Sequence, residues 1–394
     1  MKDETQIIPV DLDRLQSRAL LVGIAGLAAC AIAAVSNHQQ FLRSYLAGFL
    51  FWLAIAVGCL ALLMLYHLVG GSWGFVIQRI LEAGSRTLPL LALLLVPILF
   101  GLRVLYLWAR PEDVAADTLL QHKSIYLNLP FFLARMVLYF GLWVALALLY
   151  NRWSRQHDAT GDASWIDKAE RLAGPGLIIY AVTISFAAVD LIMSLEPVWF
   201  STAFGLMVIC GQGVATFSFV IIALSLASGR KPLAGFVTEQ HYHDLGNLLL
   251  AFVILWTYIA FAQFLIIWAG NLPDEISWYL TRLSGGWRIW ALALLIFHFL
   301  VPFFLLLMRD IKKKAPRIVG VAGLLLAAHW AEMVWLVEPS FPPNRFHIHW
   351  MDVAAPIGIG GIWISFFVSQ LKKRALLPLR HPKLAGVLEP AEET

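Results

Sequence analysis

Two stretches of this chain repeat one arrangement of acids. Asp190 is followed six residues later by Glu196-Pro197, and Glu332 six residues later by Glu338-Pro339. Each first acid sits late in a long apolar run. A carboxylate there is costly, roughly 2.5–3.5 kcal/mol for a charge at a helix centre, so one that is kept is expected to face a partner or to take and release protons. The proline suits a helix end, because it has no N–H to donate and disfavours helix in the residue before it. Glu196 and Glu338 read equally well as solvated loop acids.

Other ionisable groups fall in or beside apolar runs. Arg103, Arg135 and Arg288 lie at a depth where they could meet Asp190 and Glu332, as a structural ion-pair cluster or as the setting of a proton-accepting site. His298 and His329 fall near mid-span, His67 at the end of the second span, and Asp244, after His241 and His243, at the start of the seventh. With Thr216, Ser218, Asn247 and Gln263 they could form a hydrogen-bonded proton track, although a lone histidine in a helix bundle is commonly satisfied by a neighbouring carbonyl. His298 and His329 do not repeat along their helices as haem pairs do. His347 and His349 are too few to hold a metal alone, and no metal site is expected. Cys30, Cys59 and Cys210 form no C-x-x-C and read as buried thiols. Gly358, Gly360 and Gly361 read as helix-packing positions, not a nucleotide loop.

The elements that must hold these groups are transmembrane helices. Of 394 residues 60% are hydrophobic and only 14% charged, far below the usual charged share of a soluble domain. Ten runs are long enough to span a bilayer: 19–35, 44–69, 87–108, 129–150, 173–194, 200–228, 245–269, 287–308, 318–337 and 352–371. The leader carries Asp3, Glu4, Asp11 and Asp13, unlike the basic start of a signal peptide. Outside the spans, the odd-numbered connections hold only Arg43, Arg110, Lys123, Arg282 and Arg345. The other lysines and arginines lie on the termini and even-numbered connections, which predicts both termini in the cytoplasm. The modest net charge of +4 thus reports orientation, and nucleic acid is not an expected partner. Segment 71–86 reads as a short amphipathic helix on the inner surface. The expected fold is all-α and polytopic: residues 1–18 a cytoplasmic lead, 19–371 the membrane domain, 372–394 a cytoplasmic tail. The acid repeat predicts two four-helix bundles, spans 2–5 and 6–9, with two peripheral helices.

Two long blocks carry a resemblance. Val189–Gly205 (VDLIMSLEPVWFSTAFG) resembles the junction of spans five and six in the NrfD-like, or polysulfide reductase C-like, membrane subunits. His243–Tyr279 (HDLGNLLLAFVILWTYIAFAQFLIIWAGNLPDEISWY) resembles span seven and the following loop of the two such subunits in bacterial alternative complex III, a quinol:electron-acceptor oxidoreductase. The chain length and short tail are more similar to its F-type, quinone-binding subunit. The resemblance implies two four-helix bundles, no covalently bound cofactor or redox metal, and a place in the bacterial inner membrane. It also implies partners: lipid, a second NrfD-like subunit, and iron–sulfur and multihaem c-type cytochrome subunits. Quinol or menaquinol is the implied substrate and proton translocation the implied activity. Asp190 stands at the acid of the family's D-W-x-M-S-L-x-P block, with Leu191 replacing tryptophan. On this reading Asp190 is the first proton acceptor and Glu332 its counterpart. A proton-conducting or scaffold subunit without quinol, and a secondary transporter, remain alternatives.

Overall fold

The computed structural model describes residues 10–228, 233, 235–341 and 346–378, with the side chains of Val10 and Asp11 excepted. Arg345, Arg230, Lys231, the leader up to Pro9 and the proline-rich tail beyond 378 lie outside the described residues. So do the charges Lys2, Asp3, Glu4, Arg380 and Lys383. The protein is an all-α, multi-pass membrane protein. Ten helices are long and apolar enough to cross a bilayer, and no strand occurs among the described residues. They are α1 (Leu12–Ala34), α2 (His38–Val69), α3 (Ser72–Phe100), α4 (Leu129–Thr160), α5 (Ser164–Leu195), α6 (Phe204–Ser228), α7 (Glu239–Gly270), α8 (Gly285–Leu307), α9 (Ala315–Ser340) and α10 (Met351–Leu371).

Local chemistry sets the ends. Asn37 caps α2 by accepting from the Gln40 N–H at 3.2 Å, and Asn128 caps α4 by accepting from Phe131 at 2.9 Å. Gly70 and Gly71, at φ 69° and 106°, break the chain between α2 and α3; a side chain would strain that turn. Pro97 and Gly101 interrupt the far part of α3, which breaks into short helical pieces up to Leu105. Several spans outrun the expected bounds. α4 continues to Thr160 and α7 starts at Glu239, because a helix does not stop where its apolar run does.

Helices α2–α5 pack on one another, as do α6–α9. The two groups meet where α2 and α5 face α6 and α9, and α1 with α10 lies outside against α2. The α1–α10 crossing depends on missing side chains. A Cβ on Gly361 would come within 2.4 Å of the Ala19 carbonyl oxygen, and one on Gly23 within 2.6 Å of the Ile362 nitrogen. In lipid, where no hydrophobic force joins helices, such backbone approach is what association relies on.

The expectation for segment 71–86 is corrected. It is the first part of α3, and Gly74–Ser85 are buried in protein. Its charges have partners there, so the amphipathic face needs no membrane surface. Arg79 grips both oxygens of Asp158 at 2.6 and 2.7 Å, and Glu82 accepts from Arg79 at 2.8 Å, Ser154 at 2.7 Å and Arg374 at 2.7 Å.

Candidate functional site

Asp190 lies in the last α-helical turn of α5, just before its closing 3-10 turn Met193–Leu195, and Arg135 one and a half turns into α4. The Arg135 guanidinium donates through Nε to Oδ2 at 2.9 Å and through Nη2 to Oδ1 at 2.8 Å. Tyr139, one turn on, donates to Oδ2 at 2.9 Å. The third guanidinium nitrogen reaches the Tyr126 carbonyl at 2.9 Å, and the rings of Tyr126 and Phe131 cover the cation at 3.8 and 4.4 Å. Both carboxylate oxygens accept from the cation or the tyrosine, and Asp190 is fully buried. This is a closed ion pair of the bidentate kind.

Glu332, its counterpart in the repeat, is also buried, but no arginine or lysine pairs with it among the described residues. Oε1 accepts from Trp256 Nε1 of α7 at 2.7 Å. Oε2 lies 2.9 Å from Nδ1 of His329, one turn back on α9, and 3.9 Å from Nδ1 of His298 on α8. His298 sits in a π-helical turn, Leu295–Leu300, and its ring packs 4.0 Å from that of Trp256. Such one-residue expansions of a helix occur often at functional positions. A cavity of ≈ 30 Å³ borders Glu332 and His329 where the bundles meet, walled by Leu53, Ala187, Leu191 and Gln212 among others. That is room for a water or two. On the other side of His329, the Phe51 ring stands 5.7 Å away. Phe51 is also part of the wall of a wide apolar groove, ≈ 590 Å³, running between α1, α2, α9 and α10 past Trp52, Trp330 and Ile357.

The two Glu-Pro turns meet a third set of groups. Glu196 accepts from Arg282 at 2.6 Å and from Ser340, the residue after Glu338-Pro339, at 2.7 Å. Arg282 also donates to the carbonyls of Trp335 and Leu336, at 3.2 and 2.8 Å. It is 1% exposed, where the sequence suggested a loop charge. Glu338, nearly as buried, shares a donor with Asp352 of α10. The Gln40 side chain donates to both acids, at 3.2 and 3.1 Å, and Ser44 donates to Asp352. Neither Glu-Pro acid is a simple solvated loop acid.

The remaining expected residues are dispersed. Arg103 and Arg288 are exposed and make no ion pair among the described residues, so the five-charge cluster reduces to Arg135 with Asp190. Depth along a helix does not fix the side it faces, and these two arginines face outward. His67 is half-buried between the rings of Tyr66 and Tyr150. Asp244 lies at the far end of α7 near the surface, accepting from Gln240 at 2.7 Å. Gln263 bonds Ser201 and Tyr279 instead of Asn247, and Asn247 bonds Lys312. The hydroxyls of Thr216 and Ser218 are buried without a partner among the described residues. The proposed proton track is therefore not continuous in side-chain hydrogen bonds. Gln40, Tyr139, Trp256, Arg282 and Asp352 were not foreseen. The signal for Asp352 was present, an acid opening the last apolar run just as Asp244 opens the seventh.

No protein-family model matches this chain. No curated protein matches it either.

Proposed function

We propose that the chain is a membrane subunit of a respiratory quinol:electron-acceptor oxidoreductase of the NrfD-like kind, and that it handles quinol and its protons at Glu332. The bilayer is the bacterial inner membrane, with both termini in the cytoplasm. Iron–sulfur and multihaem c-type partners take the electrons, beside a second NrfD-like subunit. The observation that supports this most is one of position. His329, bonded to Glu332, stands one aromatic ring, Phe51, from a wide apolar groove.

A groove of that kind suits an isoprenoid tail. Quinol oxidation releases protons as well as electrons, so a base within hydrogen-bond reach of the hydroxyl speeds it. Glu332 with His329 is a carboxylate–imidazole pair to which no arginine or lysine is bonded among the described residues, able to accept a proton and pass it on. Asp190 differs. Held by a bidentate guanidinium and the Tyr139 hydroxyl, its part is to fix α4 to α5. The role assigned to it from sequence passes to Glu332.

An azido-quinone probe applied to the purified complex tests the reading. Label is expected on groove residues such as Phe51, Trp52 or Trp330, with competition by unlabelled quinol. Glu332→Gln is expected to slow quinol-dependent electron transfer about 100-fold while the complex stays assembled. Label confined to other subunits, with full activity in Glu332→Gln, would overturn it. That outcome would favour a subunit without quinol.

A further inference from the structure

His298, His329 and Glu332 each present one ligand atom, the three lie within 4.8 Å of one another, and all three residues are buried. They come from two helices. In sequence, only His329 and Glu332 are neighbours, one helical turn apart, so the third member is supplied by packing alone. We propose that these residues form a binding site for one divalent transition-metal ion of the zinc type.

Three observations support it, and the ion would compete with a proton for Glu332 and His329, so the site does not rest on the quinol reading. The first is an unmet need. Both ring nitrogens of His298, and Nε2 of His329, are buried with no hydrogen-bond partner among the described residues. His298 is wholly inaccessible. Leaving such groups unsatisfied is costly, and a cation accepting the imidazole lone pair removes part of that cost.

The second is orientation. Trp256 Nε1 occupies Oε1 of Glu332 and leaves Oε2 turned toward the histidines. Trp256 also packs on the His298 ring and holds it there. The π-helical turn carries His298 into the bundle, where it stands 3.9 Å from Oε2.

The third is the donor set itself. Two imidazole nitrogens and one carboxylate oxygen, with a fourth position left for water, match zinc sites that keep an open coordination place. At zinc bond lengths near 2.0–2.1 Å, tetrahedral ligand atoms sit roughly 3.3 Å apart. His329 Nδ1 and Oε2, now at 2.9 Å, must open slightly, and His298 Nδ1, at 3.9 Å from Oε2, must close slightly. The two imidazole ligand atoms, within 4.8 Å of each other, must approach as well, which requires rotation of the His298 ring toward His329. Magnesium and calcium are excluded, since they require more oxygen ligands.

The same structure limits the affinity. Metal-bound histidines usually donate their second nitrogen to a carbonyl or carboxylate, worth 10–100-fold in binding. Neither Nε2 here has such a partner. The ion is therefore expected to be labile, removed by a chelator without unfolding the protein.

The test uses the full-length chain purified in detergent, stripped with chelator and titrated with zinc, and separately with cobalt. One zinc per chain is expected, and cobalt is expected to give the intense visible bands of a four-coordinate site. Magnesium is expected to leave both unchanged. His298→Gln and Glu332→Gln are each expected to weaken zinc binding at least tenfold. The double variant His347→Gln/His349→Gln, which removes the histidine pair outside the site, is expected to keep it. Zinc binding that survives His298→Gln, or that disappears only with His347 and His349, overturns the site. If the variants do not fold, zinc-edge X-ray absorption of the wild type decides, because a shell without two imidazoles rules the site out. Zinc bound at this site while quinone label appears elsewhere would separate the metal proposal from the quinol reading.

Discussion

The Arg135 guanidinium closes on both oxygens of Asp190, at 2.9 and 2.8 Å, with the cation stacked under Tyr126. The pair ties the first turns of α4 to the last α-helical turn of α5 with almost no contact with water. Burial of this kind makes the loss of one partner far worse than the loss of both, since the remaining charge is left without compensation.

Arg135→Ala should therefore destabilise the protein by about 3–5 kcal/mol, seen as an early thermal transition in detergent. The double change Arg135→Leu/Asp190→Leu should recover most of that loss, because an apolar pair can replace a buried ion pair. A double variant no more stable than Arg135→Ala would show that Asp190 has a need beyond its partner.

The contact between Glu196 and Ser340 joins the turn after α5 to the last turn of α9, and Arg282 lies beneath both. Arg282→Lys keeps the charge but cannot donate at once to Glu196, Ser340 and the Trp335 and Leu336 carbonyls. A loss of about 1.5–3 kcal/mol is expected, the range for hydrogen bonds to charged groups. Hydrogen exchange should rise in 273–282 and in the two Glu-Pro turns together. Faster exchange in only one turn would mean that Arg282 does not couple them.

Much of this architecture was legible in the sequence, and the reasons it ran out are physical. Ten apolar runs announce ten helices because lipid leaves the backbone no other way to satisfy itself. The repeat of acid and Glu-Pro correctly marked Asp190 and Glu332 as buried. Partnership was not legible. Arg135, Arg103 and Arg288 looked alike by depth, yet only Arg135 turns inward, because the rotation of a helix about its axis is set by packing. For the same reason Arg282 read as a loop charge and segment 71–86 as a surface helix. Each found its counter-charges on elements distant in the chain, as Glu82 did with Arg374.

The α1–α10 crossing makes a contrast within one residue type. Gly361→Leu places side-chain atoms where the Ala19 carbonyl now lies, 2.4 Å from the would-be Cβ. Overpacking of about 1–3 kcal/mol is expected, with α1 displaced from α10. A cysteine pair across the crossing should then lose its cross-linking. Gly141→Leu on α4, where a Cβ meets nothing within 4 Å, should leave both stability and cross-linking unchanged. Equal effects at the two positions would mean that α1 is not held by backbone approach.

At the opposite end of the bundle, the last described residues are held by Arg374. It donates to Glu82 at 2.7 Å and to the Asn151 carbonyl at 2.6 Å, joining the start of the tail to α3 and α4. Burial lowers the Arg374 pKa from its ordinary value while Glu82 opposes the shift, yet guanidinium remains charged at any pH the protein meets. The latch should therefore be insensitive to pH through the neutral range. Arg374→Gln removes the charge and leaves Glu82 with Arg79, Gln78 and Ser154. The expected result is release of residues 372–378 to added protease with only a modest fall in thermal stability. Lys373→Gln, an exposed neighbour, should change neither. Protease resistance preserved in Arg374→Gln would show that the tail is held by Leu377 and its apolar contacts and not by the ion pair.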